Sequence, residues 1–356
     1  MTYIPSNARI IKRVPKTAQT PFSYIVVDSI PTNETAIVVF GGELSTSDRA
    51  ANSSAKQIQN LLHENEIYDV NVYAVVYDFG SRNAKLERTD QFRMAGRRLS
   101  NASLTDEQIS LLNKMRKNEP LPNYIKQLFD ILILPRIRDK QGKRLPVEQA
   151  VRFIRKLRFY ANCHGASSIW QIANYMYTTL ISLGYNKEEA NKIQSEVLVI
   201  QHSPTAPLTN QKVTTLSFAS AEDTMMQDHS NLFAEWLYEN SADIVPCFFD
   251  KPAGNLFVAG HLQEQPFKEH LNSGLTEGER KISPLTSDGK VILNAERNAI
   301  IRAVKKSQQD QAINSVKELT DGDGVDFDEL KENGERLYKI MLRDLRQQNL
   351  KHDYQK

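Results

Sequence analysis

The chain has two cysteines and seven histidines in 356 residues. Of these, Cys163 stands in the setting that best suits covalent chemistry. It lies in the run Arg158-Phe159-Tyr160-Ala161-Asn162-Cys163-His164-Gly165-Ala166-Ser167-Ser168. The run reads as a short apolar strand, a tight turn of small residues, and then an amphipathic stretch from Ile169 to Leu183. A nucleophile elbow has this form, with the reactive side chain at the apex between strand and helix. The turn brings two backbones close together, so it needs small residues two before and two after the apex. Ala161 and Gly165 hold those places, with Ala166 next. A thiol attacks as the thiolate, and a nearby histidine or a helix N-terminus favours that form. The plainer alternative is a small core cysteine beside a glycine turn.

Several elements must position such a residue. Phe22–Asp28 reads as a strand closed by a Pro31-Thr32-Asn33-Glu34 turn. Thr35–Phe40 is a continuous β-rich apolar run, the mark of a strand buried on both faces, and it ends at Gly41-Gly42-Glu43-Leu44. A helix is expected over about Ser47–Glu64. Val70–Tyr77 is the next buried strand, ending at Asp78-Phe79-Gly80-Ser81. Residues 84–146 are polar and basic, with helical segments near 105–117 and 123–134. Pro146–Leu157 reads as a helix with proline at its start, leading into the strand before Cys163. Beyond the elbow helix come a short helix, Lys187–Gln194, and strands at Glu196–Gln201 and Lys212–Ala219. A helix at Leu232–Asn240 and a last short strand at Asn255–Gly260 follow. Strands alternating with helices predict an α/β fold: a mainly parallel sheet with helices on both faces and sites beyond the carboxyl ends of its strands. From about 285 the chain turns polar and helical. The expected division is a core over 20–284, with a helical insertion at about 84–146, and a polar helical C-terminal appendage over 285–356. The helices expected at about 291–306 and 326–348 carry narrow apolar stripes. Val291, Ile292, Ile300, Ile301 and Val304 form the stripe of the first.

Cys163, Asp223 and His261 each fall just past an expected strand, in that order. The order nucleophile, acid, histidine is that of the α/β-hydrolase triad. The strand–elbow–helix at 158–183, the run Thr215–Asp223 and the Gly41-Gly42 turn resemble the corresponding parts of the α/β-hydrolase superfamily. The resemblance covers about residues 20–275 and lies in order and spacing. Cys in place of the usual Ser resembles dienelactone hydrolases and some acyltransferases. The resemblance implies a Cys-His-Asp hydrolase or acyltransferase acting on an ester, thioester or amide carbonyl through an acyl-enzyme. His261 would take the thiol proton and return it to the leaving group, and Asp223 would hold the imidazole tautomer. The N–H of His164, with that of Gly42 or Glu43, would donate to the oxyanion. Alternatives stay open at each place: Glu222 for Asp223, and His270 or His202 for His261. Gly41-Gly42 has the further reading of a plain turn. The insertion comes earlier than the lid that most of these hydrolases place after the sixth strand.

Two other function classes fit parts of the pattern. A caspase-like cysteine peptidase would pair His164-Gly165 with Cys247, which follows Asp243-Ile244-Val245-Pro246. A non-catalytic hydrolase-like module would use the insertion or the C-terminal helices to bind a protein. A net charge of +2 provides no field for nucleic acid, and the basic residues at 93–98 and 136–158 read as solvated faces. No zinc spacing and no Walker loop is present, so no metal and no cofactor is expected. The acidic turn Asp321-Gly322-Asp323-Gly324 lacks the first and twelfth ligands of a calcium loop. Two cysteines are no disulfide framework, and no run approaches the ~18 apolar residues of a membrane span. Met1–Asn7 has no signal-like apolar region, so the expected location is the cytoplasm, or export by a route without an N-terminal signal.

Overall fold

A computed structural model describes residues 7–14, 24–42, 45, 47–78, 121–162, 164–202, 213–220, 244–249 and 287–320. Its centre is an eight-stranded sheet. The strands are β1 (Asn7–Arg13), β2 (Tyr24–Val27), β3 (Ala36–Phe40), β4 (Asn71–Asp78), β5 (Leu157–Asn162), β6 (Leu198–His202), β7 (Thr214–Ser220) and β8 (Ile244–Phe249). Their spatial order is β2-β1-β4-β3-β5-β6-β7-β8. β1 runs antiparallel to both β2 and β4, and every other pairing is parallel. The sheet is therefore mixed but mostly parallel, with helices on both faces.

Two strands differ from the sequence expectation. β1 carries Arg9, Lys12 and Arg13, a composition that reads as surface, yet Ile10 and Ile11 are fully buried on opposite faces. The charged side chains reach out along neighbouring elements. Arg9 bonds Asp48, Arg13 bonds Asn52 and Gln59, and Lys12 lies 5.5 Å from the Tyr73 ring centroid. β8 contains Pro246, which cannot donate to a ladder, and it is the outermost of the described strands, a place where that defect is tolerated. The strand expected at Asn255–Gly260 lies outside the described residues.

One face of the sheet is covered by α2 (Asn123–Leu132), α3 (Leu134–Ile137), α4 (Val147–Arg155), α5 (His164–Ser182) and α6 (Lys187–Ser195). Val38, Phe40, Tyr73, Val75, Phe159, Ala161 and Val199 point into this layer, against Tyr124, Leu128, Phe129, Ile154, Ile169, Ile172 and Met176. Each fully buried side chain of this size contributes about 2 kcal/mol. α2 and α3 fall within the expected insertion, but they are part of this covering layer. The rest of that insertion up to residue 120 lies outside the described residues.

The opposite face is covered by α1 (Asp48–Glu64) and α7 (Ser287–Gln308). α1 starts at the N-cap Ser47, whose hydroxyl accepts from the Ala50 N–H at 3.3 Å. Its buried Ala51, Ala55, Ile58, Leu61 and Leu62 face Ile37, Val39, Val72, Ala74 and Val76. α7 lies over β5 and β6 through Ala295, Ala299, Ile300, Ala303 and Val304, all at most 1% exposed. The boundary expected at 284/285 therefore does not coincide with a packing boundary. The apolar side chains of α7 from Ala295 to Val304 pack in the core, as does Leu319, which is fully buried in the same layer. The alanines at i, i+4 and i+8 add to the stripe expected from the larger residues and let α7 lie close to the strands.

The C-terminal end of α7 is fixed by cations from the β5 side. Lys156 Nζ donates to the carbonyls of Ser307 and Gln308 at 2.8 and 3.2 Å. Arg158 donates to Ala303 O and Glu196 O. Cations suit the negative end of a helix. Arg158 is 2% exposed, and burial lowers its guanidinium to about 10. Arg136 is also buried, and donates to Leu132 O and Pro31 O. These two residues depart from the solvated faces expected for the basic stretch 136–158.

Candidate active site

The strand order places a switch point at β3 and β5. The chain passes from β3 to β4 in one direction, whereas β5, β6, β7 and β8 follow one another in the other. In such sheets the crevice outside the carboxyl ends of the strands at the switch point is the usual ligand site. β3 ends at Phe40, followed by Gly41-Gly42, and Phe40 is in register with Ala161 of β5. β5 ends at Asn162 and α5 begins at His164. Cys163 is the single residue between them in the chain, and it lies outside the described residues.

Gly165 explains why this junction needs small residues. A Cβ at Gly165 would lie 2.2 Å from the carbonyl oxygen of Phe40, and 2.8 Å from that residue's C and Cβ. Since the obstacle includes backbone, it cannot rotate away. The first turn of α5 is thus pressed against the end of β3. Ala166 and Ser168 beside it are fully buried. The first backbone N–H groups of α5 have no acceptor within the helix, and they bring the positive end of a 19-residue helix to the switch point.

The loop after β3 is held beside this junction. The Ser45 N–H donates to Gly42 O at 2.9 Å, and the Tyr77 N–H donates to Ser45 O at 2.9 Å. Gly41 is buried, and a Cβ there would meet Ser45 Oγ at 1.8 Å. Gly42 therefore lies in a loop tied to the end of β4. Glu43, the other expected oxyanion donor, lies outside the described residues. So do Asp223, Glu222, His261, His270 and the acidic turn at 321–324. His164 is the first residue of α5, and its side chain lies outside the described residues.

His202, weighed as a substitute for His261, is the last residue of β6 and is in register with Asn162. Its ring turns to the α7 face, where Nδ1 lies 3.0 Å from Glu296 Oε2, and both side chains are 1% exposed. The Tyr160 hydroxyl donates to the other carboxylate oxygen, Oε1. Burial and the Glu296 charge hold the Tyr160 phenol well above its ordinary range. His202 is thus sealed beneath α7, with Nδ1 beside the Glu296 carboxylate. The sequence reading missed Glu296, although a signal was present. It is a carboxylate within the apolar stripe of Ala295, Ala299, Ile300 and Ala303, and a charge there requires a buried partner.

The strand order does not bring the backbones of His164 and Cys247 together. Cys247 lies inside β8, in register with Phe218 of β7, and not past a strand end. β6 and β7 separate β8 from β5. Three strand spacings amount to about 14 Å, beyond the reach of a thiol–imidazole pair.

Among the described residues no group of three or more His, Cys, Asp or Glu could hold a metal ion. No helix among them is long and apolar enough to cross a membrane.

No protein-family model matches the chain, and no curated protein matches it. Among solved structures, a structural study of two fungal esterases from Rhizomucor miehei provides a similar chain. It shares 10% identity at a TM-score of 0.36, over 85% of this chain and 84% of that one. At that level neither fold nor activity transfers from the esterase to this chain.

Proposed function

We propose that this chain is an α/β-hydrolase-like enzyme in which Cys163 forms an acyl-enzyme with an ester or thioester. One observation carries the reading: β5 gives way to α5 across a single residue at the switch point, with Gly165 packed on the Phe40 carbonyl. An apex residue in that place projects beyond the sheet and meets the α5 N-terminus, which favours a thiolate. In the sequence Asp223 comes after Ser220, the last residue of β7, and His261 comes after Phe249, the last residue of β8, which supports the chain order nucleophile, acid, histidine. In this reading His261 takes the thiol proton, the thiolate sulfur attacks the carbonyl carbon, and His261 returns the proton to the departing oxygen or sulfur. Water then hydrolyses the acyl-enzyme, with His261 as base. Asp223 holds the imidazole, and the N–H groups of His164 and Gly42 receive the oxyanion.

Turnover of p-nitrophenyl and thioester substrates by the native chain and by Cys163→Ala tests the proposal. The variant should lose turnover while its Tm stays within a few degrees, because truncating one small thiol costs roughly 1 kcal/mol. Turnover retained by the variant would exclude covalent catalysis at this residue. Unaltered substrate in both proteins would favour the non-catalytic reading.

A further inference from the structure

The switch point is tied from below by one carboxylate that comes from far along the chain. Glu296 of α7 receives the Tyr160 hydroxyl on Oε1, and its Oε2 lies 3.0 Å from His202 Nδ1. Tyr160 is on β5, two residues before its end, and His202 ends β6. The Asn162 side chain closes the arrangement by donating from Nδ2 to the His202 carbonyl at 3.4 Å. The last turn of β5, the end of β6 and α7 thus meet at a single buried group. Other charges nearby do not reach the strand ends: Arg297 pairs with Glu64 of α1, and Arg158 bonds the carbonyls of Ala303, towards the far end of α7, and of Glu196. Lys156 and Arg158 hold the far end of α7, and apolar packing alone would leave the carboxyl ends of β5 and β6 unfixed against it. A carboxylate with two partners on adjacent strands fixes both strands and their ends.

We infer that Glu296, with Tyr160 and His202, is a positioning residue for the thiol site, holding the end of β5 so that residue 163 meets the N-terminus of α5. The inference rests on the reading of Cys163 as nucleophile. Glu296 acts through the backbone of β5 and through Asn162, and needs no contact with a substrate. Loosening this end should leave α5 in place, because Gly165 is held by β3. It should let the strand end drift relative to the helix, and the thiolate should lose the stabilisation the helix gives it.

The test is the pH dependence of iodoacetamide alkylation at Cys163, read by peptide mapping on the full chain, native and as Glu296→Ala and Glu296→Gln. A free thiol titrates near about 8.5. The native midpoint should lie well below that value. Glu296→Ala should raise it by about one pH unit or more, which is about tenfold slower alkylation at pH 6. Glu296→Gln keeps an oxygen for Tyr160 and an amide for His202, and should restore the native midpoint. A folded Glu296→Ala protein with the native midpoint overturns the inference and leaves the nucleophile reading standing. A native midpoint near that of a free thiol overturns the nucleophile reading, and this inference falls with it. If Glu296→Ala does not fold, Tyr160→Phe and His202→Ala each remove one arm. At least one should raise the midpoint, and native values in both overturn the inference.

Discussion

The two faces of the sheet are closed by different means. The face under α2–α6 has a large, apolar core, Phe40, Tyr124, Phe129, Phe159 and Met176, and α4, α5 and α6 on it are close in sequence to β5 and β6. Its ion pairs lie towards the outside, as with Lys192 and Glu148, and its buried cation, Arg136, bonds the carbonyls of Leu132 and Pro31. The face under α1 and α7 is packed with small residues, Ala51, Ala55, Ala295, Ala299 and Ala303. There, buried polar groups do much of the fixing: Glu296 at the strand ends, and Lys156 and Arg158 at the far end of α7. Non-directional apolar contact suffices for a helix delivered by short connections. A helix that returns from far along the chain gains its register from directional bonds.

The largest expected effect follows from that contrast. A chain ending near residue 284 lacks α7 and exposes Tyr160, Leu198, Ile200 and Phe218. It should aggregate or lose its cooperative unfolding transition by calorimetry. A soluble, cooperatively folding truncation would mean that the α1/α7 face does not need α7, and the contrast would be wrong.

The next effect sharpens the contrast at the junction itself. Gly165→Ala sets a methyl group against the Phe40 backbone and should cost about 3 kcal/mol, the upper end of the usual overpacking cost. Gly41→Ala meets Ser45 Oγ, which can rotate away, and Ser45 Cβ at 2.9 Å, which a small shift of the loop relieves, so it should cost less, about 1–2 kcal/mol in urea unfolding. Equal costs would mean that α5 can retreat from β3, and the small residues would then not define the turn.

The smallest effects compare charges. Lys156→Met removes two bonds to the end of α7 and should cost about 1–2 kcal/mol. Lys192→Met removes an ion pair whose side chains are 51% and 77% exposed, and should cost under about 0.5 kcal/mol. Denaturant midpoints at equal slope would rank them, and a reversed ranking would contradict the different roles given to polar groups on the two faces.

The legible parts of the sequence were those with local, regular signals. β3, β4 and β5 are continuous apolar runs, and α1 carries a cap and a clear periodicity. The β5–Cys163–α5 junction was legible because glycine and alanine stand where two backbones must approach. β1 was not legible, since a buried interior strand of two isoleucines among arginines and lysine looks like surface until α1 provides partners for the charges. Pro246 hid β8, because its tolerance depends on the strand's outer place in the sheet, which only the order of the described strands reveals. α7 reads as an appendage from sequence because its packing residues are largely alanines and its polar residues look solvated. Glu296 shows the general difficulty: a buried charge is intelligible only with Tyr160 and His202, which lie more than ninety positions away in the chain.

The central claim is that chemistry occurs at residue 163, and not at the other cysteine. The most direct test is competitive labelling of the native, folded chain with substoichiometric iodoacetamide at pH 6–7, followed by peptide mapping. Cys163 should be modified first, by at least about tenfold over Cys247, as expected of a thiolate at a helix N-terminus compared with an ordinary thiol. Equal rates, or faster modification of Cys247 within β8, would contradict the account.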